Sequence, residues 1–214
     1  MSPCNADDRE AHWDAVYREK GSDDLSWFQK DPALSLELIT AAAPQRDARI
    51  VDVGGGDSLL VDHLLQHGYQ QLTVLDISRS AIERAQSRLG NGADSVRWIV
   101  SDVLTMEARG MYDVWHDRAL FHFFTAQRQR QQYLEAVTNT VVPQGAVIIA
   151  TFAPDGPTSC SGLDVRHYDE GTLAAELGES FALYDARREV HHTPWDSEQR
   201  FTYAAFRRVA TTRA

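Results

Sequence analysis

The stretch Ile-Val-Asp-Val-Gly-Gly-Gly-Asp-Ser at residues 50–58 decides how this chain folds. Its first half is an apolar run that predicts a buried strand, and residues 57–67 carry leucines at helical spacing. Three glycines stand at the junction between them. Glycine at a strand-to-helix turn lets backbone N–H groups approach a ligand closely. Because a tight turn needs glycine in any case, the glycines alone leave a ligand site and a purely structural turn both open.

Outward from this stretch, short apolar runs alternate with helical segments. Besides the strand at 48–53, strands are predicted at 71–76, 96–100, 111–115 and 145–152. Their unbroken apolarity is typical of parallel strands that helices cover on both faces. The runs 181–190 and 198–208 follow, with only a short loop between them, and predict an antiparallel hairpin. We therefore expect an α/β fold with a Rossmann-like, doubly wound sheet.

Acidic residues follow three of the predicted strands. Asp52 ends the first strand, Asp76 ends the second, and Asp102 closes the third. The carboxyl ends of parallel strands lie at one edge of a sheet, where doubly wound folds bind their ligands. An acid about 20 residues beyond the glycine turn binds ribose hydroxyls in such sites, and Asp76 has that spacing. Together the three acids predict a cofactor that contains a nucleoside.

Two classes of cofactor compete for this site. The dinucleotide fingerprint G-x-G-x-x-G needs a third glycine where this chain has Leu59. A carboxylate at Asp52 is unfavourable beside a pyrophosphate, but it suits a cofactor with an amino group. Asp102 suits the amino group of an adenine. S-adenosylmethionine has an amino group, a ribose diol and an adenine without phosphate, so it is favoured, and NAD remains the alternative.

The motifs resemble those of class I S-adenosylmethionine-dependent methyltransferases. The first motif of that family, an acid followed by Gly-x-Gly-x-Gly, is matched at Asp52, Gly54 and Gly56, with Ser58 in place of the last glycine. Later motifs are matched by Leu-Asp-Ile-Ser at 75–78, Ser-Asp-Val at 101–103 and Tyr-Asp-Val-Trp-His-Asp at 112–117. The resemblance covers about residues 45–152. It implies a seven-stranded, mostly parallel sheet in which the second strand of the hairpin is inserted antiparallel.

The resemblance also implies which core residues hold the cofactor. The glycine turn and Asp52 would contact the methionine part, and Asp76 would bind the ribose. Ile77 and Val103 would pack on the adenine, with Asp102 at its amino group, although core packing explains both apolar residues equally well. The expected cofactor-binding residues of the core are Asp52, Gly54, Gly55, Gly56, Asp76, Ile77, Ser78, Asp102, Val103 and His116.

Aromatic residues are dense near the N-terminus. Trp13 and Tyr17 lie on a helix predicted at 9–20, and Trp27 and Phe28 follow a break at Gly21. Packing against the sheet is one explanation. The other is a lid over the sulfonium cation, which aromatic faces attract, and we expect Trp13, Tyr17 and Trp27 to contact the cofactor. The segment is similar to the entry of small bacterial methyltransferases and of mitochondrial protein-lysine methyltransferases.

Loops after the fourth, fifth and sixth strands border the acceptor in this fold. Asp117 and His122 follow the predicted fourth strand and are the candidate catalytic bases, which are needed only if the acceptor must lose a proton. Helix capping by Asp117 and a buried, satisfied His122 are the alternatives. We expect Cys160 to be inert. The His, Asp and Cys residues do not follow metal-ligand spacing, so no metal is expected.

Charge and composition limit the partners. The chain has 214 residues, with 21 Lys and Arg against 31 Asp and Glu, and a net charge of −10. This is the opposite of the basic excess of nucleic-acid-binding proteins. An apolar run of about 18 residues, as a membrane span requires, does not occur, and the polar N-terminus is unlike a signal peptide. We expect a cytoplasmic monomer or weak homodimer that binds neither nucleic acid nor membrane.

The expected organisation is one methyltransferase domain over 1–214. It comprises an N-terminal lid (1–44), a cofactor-binding core (45–152), and an acceptor-side loop with the hairpin (153–214). The expected reaction moves a methyl group from S-adenosylmethionine to an oxygen, nitrogen or sulfur atom of a small molecule, leaving S-adenosylhomocysteine. The alternatives are a protein-lysine methyltransferase, an NAD-dependent oxidoreductase, and a catalytically silent binding module with the same fold.

Overall fold

The structure, a computed structural model, describes residues 6–106 and 109–210. The α-helices of these ranges are α1 (Ala6–Glu19), α2 (Ala33–Ala42), α3 (Leu60–Gln66), α4 (Arg79–Leu89), α5 (Gln127–Thr140) and α6 (Glu170–Leu177). The strands of the main sheet are β1 (Arg49–Val53), β2 (Gln71–Asp76), β3 (Val96–Val100), β4 (Tyr112–Arg118), β5 (Val141–Phe152), β8 (Phe181–His192) and β9 (Glu198–Arg208). A separate two-stranded ladder joins β6 (Ser159–Cys160) to β7 (Leu163–Asp164).

The seven strands of the main sheet run in the order β3-β2-β1-β4-β5-β9-β8. Strands β1 to β5 pair in parallel. Strand β9 is inserted antiparallel between β5 and β8. The predicted Rossmann-like sheet with an antiparallel strand from the terminal hairpin is therefore confirmed.

Both faces of the parallel strands β1, β2, β4 and β5 are largely buried, as their apolar sequences predict, whereas the edge strand β3 is only partly buried. On one face, Ile50 and Ile148 belong to a core cluster with residues of α2 and α3, such as Ile39. On the other face, Val51 belongs to a cluster with residues of α5, such as Tyr133. The helices thus form a layer on each side of the sheet and leave its carboxyl edge to the turns that follow the strands.

Three strands are longer than their sequences predict, and one of them, β5, begins at Val141 rather than at residue 145. Strand β4 runs to Arg118, three residues past the predicted end at 115, so that His116 and Asp117 lie within the strand. Both side chains are buried, and hydrogen bonds to other side chains compensate for that burial. Strand β8 likewise extends to His192, which places His191 in the strand rather than in the hairpin turn.

The start of the chain packs across the carboxyl edge of the sheet. Tyr17 of α1, Leu25 and Ala81 of α4 form a small core cluster, against which Trp13 and Trp27 pack. Cys4 lies outside the described residues. Within the described ranges, the helices are too short or too polar to cross a bilayer.

Candidate functional site

A cavity of about 80 Å³ opens at the carboxyl edge of the sheet. Expected site residues from the core and from the N-terminal segment line it together: Trp13, Tyr17, Trp27, Gly54, Asp76, Ile77, Asp102 and Val103. The rest of its wall is Arg9, Leu75, Ser101, Arg118, Ala119, Leu120, Phe123, Phe124 and Cys160.

A second recess, of about 40 Å³, shares Trp27, Gly54 and Arg118 with the first cavity. Its other lining residues include Phe28, Ser35, Asp52, Gly55, Asp57, Ser58 and His116. The shared residues make the two spaces neighbours on either side of the glycine turn. The structure therefore gathers the three expected acids with Gly54 and Gly55 around a pair of adjoining cavities, whereas Gly56 and Ser78 line neither of them.

The glycine turn is shaped by close packing on both sides. Gly54 and Gly56 have φ values of +64° and +53°, a backbone conformation that favours glycine. A Cβ atom at position 54 would lie 2.9 Å from the Cβ atom of Leu120. At position 56 it would lie only 2.2 Å from the hydroxyl oxygen of Tyr17. The turn thus requires glycine for its conformation and for the approach of the N-terminal segment.

Asp76 lies at the end of β2 and is buried. One carboxylate oxygen accepts a hydrogen bond of 2.9 Å from the Gly56 N–H, and the other accepts one of 2.8 Å from the Ser78 N–H. Burial raises the pKa of Asp76 to about 7, an increase that these two hydrogen bonds only partly offset. Ser78 itself caps α4 by accepting from the Ala81 N–H at 3.1 Å.

Asp102 lines the main cavity and binds the N-terminal helix α1. Its side chain forms an ion pair with Arg9 of α1 and accepts a hydrogen bond of 2.9 Å from the Leu104 N–H. Ile77 and Val103 line the same cavity. An acid, a basic side chain and two apolar groups therefore surround this part of the cavity.

Asp52, His116 and Ser35 form a buried row beside the second recess. The Nδ1 atom of His116 is 2.7 Å from Oδ1 of Asp52, and its Nε2 atom is 2.9 Å from Oγ of Ser35. Strand β1 supplies the acid, β4 the imidazole and α2 the hydroxyl. Both ring nitrogens of His116 are therefore occupied by protein groups.

Aromatic rings form the roof of the main cavity. The ring of Trp13 meets those of Trp27 and Phe123 edge to face, with centroid separations of 5.8 and 5.0 Å. Tyr17 meets Trp27 in the same manner at 6.3 Å. Burial, together with the charges of nearby acids, raises the pKa of Tyr17 well above its ordinary value, so its hydroxyl stays protonated.

Arg118 stands where the two cavities meet. Its guanidinium donates hydrogen bonds of 2.9 Å to the Tyr203 hydroxyl and to the Trp27 carbonyl oxygen, and it lies 3.5 Å from a carboxylate oxygen of Glu189. It also stacks over the ring of Phe201, at 4.4 Å from the centroid. The side chain joins β4 to the terminal hairpin and to the N-terminal segment.

The two expected catalytic bases do not occur among the described residues that line either cavity. Asp117 accepts hydrogen bonds from the Leu120 and Phe121 N–H groups at 3.0 and 3.3 Å, and from the Tyr133 hydroxyl at 2.6 Å. These contacts hold the turn after β4. Burial raises the pKa of Asp117 to about 6 in spite of them.

His122 is also enclosed in the core. Its Nδ1 atom accepts a hydrogen bond of 3.3 Å from the Phe152 N–H. Burial lowers the pKa of His122 to about 3, so the ring is neutral. Cys160 does line the main cavity, and burial raises the pKa of its thiol to about 11.

Comparison with known proteins identifies the class of this fold and site. A family profile described as a methyltransferase domain matches residues 50–145. Human EEF1A lysine methyltransferase 2 is 24% identical over 189 residues, which are 81% of this chain and 74% of that protein. A malonyl-[acyl-carrier protein] O-methyltransferase from Anoxybacillus flavithermus is 31% identical over 178 residues, which are 80% of this chain and 64% of that protein.

The fold comparison agrees with the family profile. The Burkholderia thailandensis 1,6-didemethyltoxoflavin-N1-methyltransferase, solved with its substrate and S-adenosylhomocysteine, superposes with a TM-score of 0.74 at 16% identity. The match covers 98% of this chain and 93% of that one. The chain has the class I methyltransferase fold. It is an S-adenosylmethionine-dependent methyltransferase, as its sequence motifs predict.

Two polar residues of the site, Arg9 and Ser35, were not predicted from the sequence. They contact partners that lie 93 and 81 residues away in the chain, so no local pattern marks them. Arg118 directly follows the motif matched at 112–117, in the stretch after the fourth strand that was expected to border the acceptor. Among the described residues, groups of three or more His, Cys, Asp or Glu side chains suited to a metal ion were not found.

Proposed function

We propose that this methyltransferase acts on a small molecule, to which it transfers the methyl group at an oxygen, nitrogen or sulfur atom. One observation carries the proposal. The main cavity runs from the acids at the strand ends to a wall of aromatic rings, under a roof formed by the N-terminal segment. Such a space suits a cofactor at the acids and a compact acceptor beside it.

The residues around the cavities fit S-adenosylmethionine. Asp76 presents two carboxylate oxygens, each with one backbone donor and a remaining lone pair for a ribose hydroxyl. Ile77 and Val103 offer apolar contacts to the adenine, and Asp102 offers an acceptor to its amino group. The glycine turn has no side chains, so its backbone packs closely against Leu120, Asp52 and Tyr17. When bound, the cofactor supplies a methyl group that its sulfonium already activates.

The methionine part would then occupy the recess beside Asp52. Asp52 lines that recess together with Gly54 and Gly55. Its carboxylate can accept a hydrogen bond from the cationic amino group of the methionine part. Trp13, Tyr17 and Trp27 place ring edges and faces around the main cavity, where a sulfonium cation is favoured. In this proposal the N-terminal segment excludes water from the reacting atoms.

The titratable groups of the cavity wall indicate how the acceptor reacts. Tyr17 and Cys160 remain protonated near neutral pH, because burial raises the pKa of each. Asp76 and Asp102 are assigned to the cofactor, and Arg9 and Arg118 are not bases. Of the described lining residues, none is left to take a proton from the acceptor. The proposal therefore favours an acceptor that is already nucleophilic, such as a carboxylate, a thiolate or a neutral nitrogen, and catalysis by positioning.

The relatives support two kinds of acceptor. Similarity to the malonyl-[acyl-carrier protein] O-methyltransferase favours a carboxylate oxygen, which needs no base. Similarity to the EEF1A lysine methyltransferase favours a lysine of a protein, and this is the second candidate function. A lysine ammonium must lose a proton before it can react, and the cavity wall provides no evident base for that step. The small, preionised acceptor is therefore the preferred proposal.

Calorimetry and a labelling screen test the proposal. Titrations with S-adenosylmethionine, S-adenosylhomocysteine and NAD should give binding for the first two ligands alone. Methyl-labelled cofactor is then incubated with a small-metabolite fraction and, separately, with a protein fraction, each with and without EDTA. Label should pass to small molecules, and EDTA should leave that transfer unchanged because the displacement needs no Lewis acid. Label in protein alone would favour an acceptor borne by a protein, such as a lysine. Cofactor binding without transfer to either fraction would favour a silent module.

A further inference from the structure

We propose that Ser35 and His116 are positioning residues that fix the carboxylate of Asp52 for the amino-acid end of the cofactor. This inference rests on the proposed function, in which the recess beside Asp52 holds the methionine part. His116 is one of the expected cofactor-binding residues, and here it acts on the cofactor only through Asp52. Ser35 is a new member of the site, contributed by the N-terminal helix α2.

The geometry divides the two oxygens of Asp52 between two tasks. Oδ1 is 2.7 Å from Nδ1 of His116. Oδ2 lies over the glycine turn, since a Cβ atom at Gly55 would be only 2.7 Å from it. A carboxylate only accepts, so Nδ1 carries the proton. One oxygen is thereby anchored, and the other is held beside the recess that Asp52 and Gly55 line.

Ser35 completes the row by fixing the imidazole ring. Its hydroxyl oxygen is 2.9 Å from Nε2 of His116, and all three side chains are at least nine-tenths buried. A ring bound at both nitrogens cannot rotate without breaking a buried hydrogen bond, which is costly. The orientation of Asp52 therefore depends on a hydroxyl supplied by α2.

The same order of groups serves a nucleophilic serine in hydrolases, but the surroundings here favour positioning. Hydrolysis needs backbone N–H donors aimed at a developing oxyanion. The Gly54 and Gly55 N–H groups both donate to the Leu75 carbonyl oxygen, at 2.7 and 3.3 Å. The Gly56 N–H donates to Asp76. The donors of the nearby turn are thus already engaged, which leaves the row to orient Asp52.

A comparison of two ligands tests the positioning role. S-adenosylhomocysteine carries the amino-acid arm, whereas 5′-methylthioadenosine lacks it. Calorimetry measures the affinity of wild type, Ser35→Ala and His116→Asn for both ligands. Each substitution should weaken the binding of S-adenosylhomocysteine roughly 10-fold to 100-fold, which is the effect of a disturbed hydrogen bond to a charged group. The affinity for 5′-methylthioadenosine should stay within about two-fold.

Thr40→Ala is the matched control, because Thr40 is also a hydroxyl residue of α2 and bonds only to carbonyl groups of its own helix. It should change neither affinity. Unchanged binding of S-adenosylhomocysteine by Ser35→Ala would overturn the inference, as would an equal loss for both ligands. If His116→Asn does not fold, Ser35→Ala decides the question alone. Failure of the wild type to bind either ligand would instead overturn the proposed function.

Discussion

A methyl group at position 56 would collide with the N-terminal segment. Gly56 has φ +53°, and its added Cβ atom would lie 2.2 Å from the Tyr17 hydroxyl oxygen. Gly68 offers a matched control, because it also has positive φ, at +84°, but open space around the added atom. We expect Gly68→Ala to lower the free energy of unfolding by ~1–2 kcal/mol, the cost of the left-handed backbone.

Gly56→Ala should show this cost and also displace Tyr17. We therefore expect it to weaken S-adenosylhomocysteine binding by at least about 10-fold, whereas Gly68→Ala binds like the wild type. Urea denaturation measures the stability of both variants, and calorimetry measures their affinity. Equal affinity in the two variants would show that the contact between Tyr17 and the turn does not shape the site.

The buried carboxyl of Asp76 makes cofactor binding dependent on pH. Burial raises its pKa from 3.8 to about 7, so its contribution to folding stability is greatest below pH 3.8 and is lost as the pH rises towards 7. Ribose hydroxyls bind the ionised form more strongly. We expect the affinity for S-adenosylhomocysteine to increase as the pH rises through about 7, and Asp76→Asn to bind weakly without this dependence. Calorimetry across that range is the measurement, and a pH-independent wild type would contradict the assignment.

Individual site residues differ in how far the sequence predicts them. Asp76 and Gly56 were predictable, since a strand end and a glycine turn leave local patterns. Arg9 and Ser35 reach their partners only after the chain has folded back over the sheet. Periodicity describes neighbours along the chain, so it does not identify such contacts.

At the scale of elements, α1 is attached to the core by polar contacts in addition to the packing of Tyr17 and Trp13. Arg9 pairs with Asp102, and Asp14 accepts from the Ser78 hydroxyl at 2.7 Å. Arg84 of α4 donates to the Tyr17 and Lys20 carbonyl oxygens. Since Asp102, Ser78 and Tyr17 belong to the expected cofactor site, the attachment of the helix and the binding of the cofactor should be coupled.

Hydrogen exchange tests this coupling. We expect amides of residues 9–28 to exchange more slowly when S-adenosylhomocysteine is added, while amides of the buried strand β5 serve as the control and do not change. Asp14→Ala should speed exchange in the ligand-free protein, because it removes contacts to Ser78 and Ser80. Equal protection of residues 9–28 with and without ligand would indicate that the segment is simply part of the core.

Strand β4 shows why element ends are harder to predict than elements. The apolar run predicts the strand, but His116 and Asp117 read as loop residues in the sequence. In the structure both pair in register with β1 and β5, opposite Asp52 and Val53 of β1. Their polar groups are satisfied by Ser35, Asp52 and Tyr133. Tertiary partners therefore extend the strand.

At the scale of the whole molecule, the sheet order determines which groups meet. Strand β1 lies between β2 and β4, so the turns after these strands adjoin at the point where the chain reverses its direction across the sheet. This brings Asp76, the glycine turn and Arg118 to one cavity. The class of fold was predictable from that rule. The aromatic wall of the cavity comes from the N-terminal segment and from the turn after β4, and no local pattern determines how that segment packs over the sheet.

Because the described residues that line the proposed acceptor end include no evident base, turnover should follow the ionisation of the acceptor itself. We expect Asp117→Asn and His122→Gln to retain turnover within a few-fold of the wild type per folded molecule. We also expect the rate to rise with pH as a larger fraction of the acceptor is in its nucleophilic, deprotonated form. Asp117→Asn should melt at a lower temperature, since the Asp117 carboxylate holds the turn after β4 and the Tyr133 hydroxyl. Steady-state kinetics over pH with the identified acceptor, corrected for folded protein by S-adenosylhomocysteine titration, measures both effects. A loss of ~100-fold or more in either variant, with cofactor affinity unchanged, would restore that residue as a general base.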